Sequence, residues 1–145
     1  MIYPDLSGTW NFQIVSFRRT DPAKPPSFSN IYTSQSIVTI EQKDNFIIVN
    51  IPAVPTVRPT EGYYLGLISE VYNNVNNFWQ VTLADSDDTG ISNLTIKEYE
   101  SKCICADEIV IFPTVLEGYY VESGFSPFNS NQNQAVSRFT FTRIQ

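Results

Sequence analysis

Short runs of alternating apolar and polar residues recur along the whole chain, and this alternation most constrains its fold. Residues i and i+2 of a strand share one face of a sheet, whereas an amphipathic helix needs apolar residues at i, i+3, i+4 and i+7. No window of the 145 residues shows a helical stripe. We therefore predict an all-β protein with strands over residues 9–18, 35–42, 45–51, 62–71, 77–84, 91–99, 108–112 with a continuation at 116–122, and 135–144.

Polar connections between these strands indicate how the strands are arranged. The segments QKDNF (42–46), NNVNN (73–77) and DSDDTG (85–90) have the composition of tight hairpin turns. Consecutive hairpins give an antiparallel meander, and eight strands in meander order can close on themselves, which removes exposed sheet edges. We expect residues 1–145 to form one domain, a single antiparallel up-and-down β-barrel of about eight strands.

Three longer segments interrupt the regular spacing of the strands. They cover residues 18–33, 52–61 and 124–134, and they are rich in proline, serine or asparagine. In an up-and-down barrel they connect strands 1 and 2, strands 3 and 4, and strands 7 and 8. Because these connections all fall at one end, we expect a mouth surrounded by long segments and an opposite end closed by tight turns.

The two ends of the chain carry residues that fit each other. Trp10 and Phe12 share one face of the first strand, and Phe139, Phe141 and Arg143 share one face of the last strand. An inward-facing guanidinium needs a partner, and the face of an indole suits it. In a closed barrel the first and last strands are neighbours, so we predict that Arg143 lies over Trp10.

These same residues resemble a known group of barrels. Gly8-Thr9-Trp10 at the start of the first strand, with Phe141-Thr142-Arg143-Ile144 ending the last one, is similar to the calycins, which include lipocalin, fatty-acid-binding and avidin-like barrels. The resemblance implies a lipocalin-like barrel in which Trp10 and Arg143 form a structural plug. An avidin-like biotin site has polar ligands on the inner face of the first strand. Here Phe12 and Ile14 occupy those positions, and only Ser16 is compatible.

The interior of such a barrel is the expected binding site. Eight-stranded barrels are either filled by side chains or hold one small ligand. Strand parity predicts an inner lining formed by Phe12, Ile14, Ser16, Leu65, Leu67, Trp79, Val81, Leu83, Leu94 and Ile96, to which Tyr63 and Tyr119 could add. The same parity places another apolar set on the outer face, consisting of Val15, Phe17, Ile47, Val49 and Ile51.

Two functions from different classes remain open. The first is a non-enzymatic barrel that binds a small apolar ligand, which enters at the end with the longer segments. The second is a structural or assembly protein, such as a component of a virus particle, that forms a homo-oligomer or larger assembly through its outer face and loops. The abundance of asparagine, isoleucine and tyrosine is typical of viral proteins from AT-rich genomes.

Composition and charge argue against several other functions. The net charge of −6 disfavours nucleic acid as a partner, and no apolar run is long enough to insert in a membrane. The chain has no histidine, and most of its glutamates alternate outward, so we expect neither an enzyme nor a cofactor. Cys103 and Cys105 lack other soft ligands, so we expect no metal site. Because no signal peptide is visible, an intracellular or virion protein is expected rather than a secreted one.

Overall fold

Eight strands close into one antiparallel barrel. A computed structural model describes residues 2–19, 28–52, 62–72, 77–85, 90–105, 108–122 and 135–144. Each strand pairs with the next, and the last pairs with the first, which confirms the predicted fold class. The strands are β1 (Gly8–Arg19), β2 (Phe28–Lys43), β3 (Phe46–Ile51), β4 (Gly62–Tyr72), β5 (Asn77–Asp85), β6 (Gly90–Cys105), β7 (Glu108–Glu122) and β8 (Ala135–Arg143). Within the described residues, no helix has the length and apolar character that crossing a membrane requires.

Three strands are longer than their sequence patterns predict. β2 begins at Phe28 rather than at residue 35, because Phe28, Ser29 and Asn30 pair with the end of β1. β6 continues to Cys105 and β7 runs without a break, because the two strands pair with each other along this extension. Alternation of apolar and polar residues is weaker where both faces of a hairpin carry polar residues, so the pattern underestimates the length of these strands.

Some predicted connections lie only partly within the described residues. The segment predicted at 18–33 contributes its two ends to β1 and β2, and its residues 20–27 lie outside the described part of the chain. Residues 53–61 and 123–134 also lie outside the described part of the chain, as do residues 73–76 and 86–89 of the other two predicted turns. The strand ends that flank residues 20–27, 53–61, 86–89 and 123–134 all lie at one end of the barrel, as antiparallel order requires.

The predicted turn between β2 and β3 is present at Asp44 and Asn45. Asp44 adopts a positive φ of 54°, which aspartate tolerates better than most residues and which suits a two-residue hairpin. The side-chain amide of Gln42 donates to the backbone carbonyls of Asp44, at 2.8 Å, and Pro4, at 2.9 Å. Its carbonyl oxygen accepts from the backbone N–H of Leu6 at 2.7 Å. The turn is therefore joined to the N-terminal segment that crosses this end of the barrel.

Pairing between the first and last strands closes the barrel. The register runs from Trp10 opposite Arg143 to Arg18 opposite Ala135, without a bulge. This confirms the expected contact between the two ends of the chain. The register also places Phe12 directly opposite Phe141, and the two rings stack with their centroids 4.3 Å apart.

Aromatic rings fill the middle of the barrel. Phe139 lies edge-on to Phe12, with ring centroids 4.9 Å apart, and stacks on Tyr120 at 5.1 Å. Tyr64 contacts Phe12 at 6.2 Å and Tyr120 at 6.0 Å. Each such pair adds roughly 0.5–1.5 kcal/mol beyond the area that it buries. These rings join strands β1, β4, β7 and β8 across the interior.

The inner face of β3 is opposite to the predicted one. Ile47, Val49 and Ile51 were expected outside, but all three are buried in the core. The strand reads FIIVNI, so both of its faces are mostly apolar and alternation alone does not define the inner one. Pairing of Val49 with the buried Ile40 of β2 decides it. Val15 of β1, predicted on the face opposite Phe12, is also buried, at 7% exposure, but it does not belong to the core cluster that contains Phe12.

The inner face of β4 is reversed in the same way. Leu65 and Leu67 are 38% and 53% exposed, so the prediction that they line the interior is wrong. Tyr63 is exposed as well, and the interior positions belong to the buried Tyr64 and Ile68. The strand reads GYYLGLIS, again apolar on both faces. Tyr119 of β7, another suggested lining residue, is also on the outside. Phe17 has a side chain outside the described part of the structure.

Gly118 marks a place where two strands leave no room for a side chain. A Cβ atom there would overlap the carbonyl oxygen of Asn93 and would lie 2.9 Å from the Cα of Leu94. Both are backbone atoms of the paired strand β6. We expect Gly118→Ala to lower the free energy of unfolding by about 2–3 kcal/mol in urea denaturation, because the backbone must shift.

Gly66→Ala is the matched control for that substitution. A Cβ at Gly66 would approach Cδ2 of Leu83 at 2.6 Å and Cγ1 of Ile47 at 2.8 Å, which are side-chain atoms, whereas the atoms close to Gly118 belong to the backbone. We expect a smaller loss than for Gly118→Ala. An equal or larger loss at Gly66 would contradict the close approach of the two backbones.

Ser92 is a buried polar residue on the inner face of β6. Its side chain is fully buried, and its Oγ has no hydrogen-bond partner among the described residues. Since an unpaired buried hydroxyl is unfavourable, Ser92→Ala should leave the free energy of unfolding unchanged or raise it by about 1 kcal/mol. Thermal and urea denaturation measure this. A clear loss of stability would show that the hydroxyl is hydrogen-bonded.

Candidate functional site

Trp10 closes one end of the barrel from the inside. Its side chain is fully buried, and its indole N–H donates to the carbonyl of Leu6 at 2.9 Å. The central carbon of the Arg143 guanidinium lies 4.4 Å from the ring centroid, so the predicted contact is present. A desolvated cation over an indole contributes about 2 kcal/mol. The N-terminal segment lies across this end, with Leu6 buried in the core.

The guanidinium of Arg143 is held by backbone carbonyls from two other segments. Its Nε donates to Pro113 of β7 at 2.8 Å, its Nη1 to Ser7 at 2.7 Å and its Nη2 to Asp5 at 2.6 Å. Burial lowers the pKa of Arg143, and the carboxylates of Asp5 and Glu100 act in the opposite direction. These hydrogen bonds join the N-terminal segment, β7 and β8. The guanidinium therefore binds groups of the protein itself.

A gap in the barrel wall opens between β5 and β6 near the plugged end. The two strands pair only from Gln80 opposite Thr95 to Ala84 opposite Ile91. Beyond Thr95, β6 continues to pair with β7, and its register shifts between Ile96 and Glu98 and again between Glu98 and Tyr99. Bulges bend a strand and increase its twist. The long β6–β7 hairpin therefore separates from the start of β5.

A pocket of about 400 Å³ occupies this gap. We call it the β5–β6 pocket, and it is lined by Phe78, Trp79, Thr95, Ile96, Tyr99 and Ile111. Trp79 and Ile96 are partly buried and pack against the core. Phe78 and Tyr99 are 38% and 58% exposed, so their rings border the opening.

The N-terminal segment forms one side of the same region. Tyr3 lies edge-on to Trp79, with ring centroids 5.8 Å apart, and it also packs against the core. The backbone N–H of Asp5 donates to the carbonyl of Ile111 at 2.9 Å. The contacts that hold the plug in place therefore also fix the position of the pocket wall.

The predicted lining residues separate into several groups in the structure. Trp79 and Ile96 come together in the β5–β6 pocket. Ile14 is partly buried, and Ser16 lies on β1 with a side chain outside the described part of the structure. Leu65 and Leu67 lie on the outer face. Fully buried in the core are Phe12, Val81, Leu83 and Leu94.

Sequence reasoning missed the remaining pocket residues. Phe78, Thr95, Tyr99 and Ile111 all lie in predicted strands, but strand parity does not show that β6 bends away from the start of β5 and brings them together. Tyr3 lies in a segment with no strand pattern. The run of apolar and polar residues from 91 to 105 is longer than β5, and this difference in length was a usable signal that β6 extends beyond its neighbour.

The lining of the pocket suits binding better than chemistry. The described lining residues carry no carboxylate, amine or thiol. The Thr95 hydroxyl donates to the carbonyl of Glu117 at 3.4 Å. Among the described residues, no group of three or more histidine, cysteine, aspartate or glutamate side chains could hold a metal ion. Aromatic rings lie on both sides of the gap, and Ile96 and Ile111 of the β6–β7 hairpin add apolar surface, so the lining favours a flat apolar ligand.

Comparisons with known proteins leave the family open. No family model matches the chain, and no curated protein or solved structure is significantly similar to it. The resemblance to the calycins therefore rests on the architecture, since the closed eight-stranded antiparallel barrel is consistent with a calycin-like fold.

The plug generates a direct prediction about stability. Replacing Arg143 with alanine removes the contact with Trp10 and leaves three backbone carbonyls without their donor. We expect Arg143→Ala to lower the free energy of unfolding by about 3 kcal/mol, as measured in urea.

Arg143→Lys is the control that separates charge from geometry. Lysine keeps the positive charge but cannot present the planar fork that reaches three carbonyls, so we expect an intermediate loss. A wild-type unfolding curve for Arg143→Ala would show that the plug contributes nothing to stability.

Proposed function

We propose that this chain is a non-enzymatic barrel protein that binds a small, flat, apolar ligand in the β5–β6 pocket. The observation that carries the proposal is the gap beside Trp79, which two exposed aromatic rings border and apolar side chains line. The ligand site thus lies in the wall near the plugged end. The centre of the barrel, where the sequence analysis placed the ligand, is filled by aromatic rings in the described residues.

The volume and lining of the pocket support a ligand of modest size. Its 400 Å³ lies within the range of roughly 300–1,000 Å³ typical of small-molecule sites. At about 0.5 kcal/mol per non-hydrogen atom, a ligand of about 15 such atoms would bind with a Kd in the micromolar range. Insertion between Phe78 and Tyr99 would cover the partly exposed Trp79.

Binding without catalysis fits the residues available. Acyl transfer and most proton transfers need a histidine, a carboxylate or a thiolate beside the substrate. The chain has no histidine, and the pocket lining supplies neither of the other two groups. Apolar contact with the rings, aided by the hydroxyls of Thr95 and Tyr99, is the interaction that these residues offer.

Fluorescence titration with 1-aminoanthracene, a neutral three-ring probe, tests the proposal. We expect micromolar binding to the wild type, accompanied by a change in tryptophan emission, because Trp79 lies in the pocket whereas Trp10 is fully buried. Tyr99→Ala and Phe78→Ala should each weaken binding about tenfold, by removing part of the aromatic border.

Tyr119→Ala is the matched control. Tyr119 is 55% exposed, similar to Tyr99, but it lies on the outer face of β7 away from the pocket. We expect its loss to leave probe binding unchanged. The proposal fails if the wild type does not bind the probe at about 100 µM, which would place any affinity below that of an ordinary site. It also fails if Tyr119→Ala weakens binding as much as Tyr99→Ala does.

A further inference from the structure

The outer side of the barrel carries a continuous apolar surface across four strands. Cross-strand pairs connect it: Phe46 with Leu67 and Ile48 with Leu65 between β3 and β4, and Ala84 with Ile91 between β5 and β6. Leu65 also pairs with Ala84, which joins the two halves. We call this surface the apolar outer face, consisting of Phe46, Ile48, Tyr63, Leu65, Leu67, Ala84 and Ile91.

Charge is absent from the strand segments that form this face. Residues 46–51, 62–69, 77–84 and 90–96 contain no lysine, arginine, aspartate or glutamate, although the whole chain has a net charge of −6. On the far side of the barrel, Glu117 pairs with Thr140, and Thr140 pairs with Gln13. The apolar outer face is therefore uncharged, with Asn50, Thr82 and Asn93 as polar neighbours of its apolar residues, whereas the opposite strands carry charge.

The exposed area of this face approaches what a dimer needs. Phe46, Tyr63, Leu65, Leu67 and Ile91 are between 38% and 53% exposed. At roughly 200 Å² for a fully exposed large side chain, they leave on the order of 500 Å² of apolar surface. A standard interface buries about 800 Å² per partner, of which about 57% is apolar, whereas obligate homodimers bury at least about 1,000 Å² per partner. The apolar outer face therefore has enough apolar surface for a standard interface and less than an obligate homodimer buries.

We propose that a second copy of this chain docks on the apolar outer face, through a two-fold arrangement in which the same surface is used by both copies. An apolar, uncharged surface is complementary to itself, so the same patch can serve both partners. Because each copy has a net charge of −6, contact through a face that carries a carboxylate, such as that of Glu117, is disfavoured by like-charge repulsion. On the apolar outer face the two copies meet without like charges.

A groove lies at the edge of the apolar outer face. It has a volume of about 600 Å³ and lies where β3 ends, lined by Ile37, Thr39, Asn50, Ile51, Pro52, Gly62 and Tyr63. Ile37 is 53% exposed and borders this groove together with Tyr63. Tyrosine is enriched in protein interfaces, and Tyr63 lies beside a concavity that a side chain of the second copy can enter.

A lipid surface fits this face less well than a second copy does. Amphipathic membrane-binding surfaces combine apolar residues with lysine or arginine, which anionic lipids attract. The four segments that form the face contain neither, and the net charge of the chain is negative. Membrane binding is therefore an outcome that the experiment must distinguish.

Sedimentation velocity and native mass spectrometry of the untagged protein test the proposal. We expect the wild type to be a dimer at about 10 µM, with a dissociation constant in the micromolar range or below. Leu65→Lys and Leu67→Lys should each convert the dimer to a monomer, with at least about 100-fold weaker association, because each would bury a charge in the interface.

The matched control is Thr140→Lys, which adds the same charge to the polar side of the barrel. It should remain a dimer. Leu67 is 53% exposed in the single chain, so its replacement leaves the core intact, and circular dichroism with thermal unfolding verifies the fold of each variant. Should Leu65→Lys fail to fold, Leu67→Lys and Ile91→Lys provide the same test.

Three results would overturn the proposal. The first is a wild-type protein that stays monomeric at about 100 µM. The second is a dimer that persists in folded Leu65→Lys and Leu67→Lys, which would place the interface elsewhere. The third is co-flotation of the wild type with phosphatidylcholine–phosphatidylserine vesicles while the protein remains monomeric in solution, which would assign the face to a lipid surface.

Discussion

Pairing between the first and last strands is the interaction on which the rest of this structure depends. It joins residues that are more than a hundred positions apart in the chain, so its formation lowers the chain entropy, and the contacts between the two strands must offset that loss. The stack of Arg143 on Trp10 and the hydrogen bonds from its guanidinium to backbone carbonyls add directional contacts at this seam. Without the seam, β1 and β8 would be open sheet edges, and the aromatic core would be exposed along one side.

Unequal strand lengths explain why a small barrel with a filled centre still has a pocket. β6 and β7 extend together beyond the last pair that β6 forms with β5, and bulges after Ile96 bend that extension away. The wall then opens beside Trp79, and the N-terminal segment, held by the contacts of Arg143, forms one side of the opening. A structural plug and a candidate binding site therefore share their supporting contacts, although they use different residues.

The two proposals concern separate surfaces of the same strands. The pocket lies near the plugged end, where β5 and β6 diverge, whereas the apolar outer face lies where β3, β4, β5 and β6 are fully paired. A dimer formed through that face would leave Tyr99 and Ile111 of the long hairpin outside the apolar patch. Ligand binding and self-association can therefore be tested with independent substitutions.

By itself, the sequence determined the fold class, the number of strands and the turn at Asp44, because alternation and turn chemistry are local signals. It also predicted the contact between Trp10 and Arg143, since closure of an eight-stranded meander makes the first and last strands neighbours. Only the tertiary structure decided which face of β3 and β4 is internal. Both strands are apolar on each side, so burial of Ile47 or exposure of Leu67 depends on the register with neighbouring strands. The β5–β6 pocket arises from the same cause, since it depends on where pairing ends, a long-range property that no single stretch of residues contains.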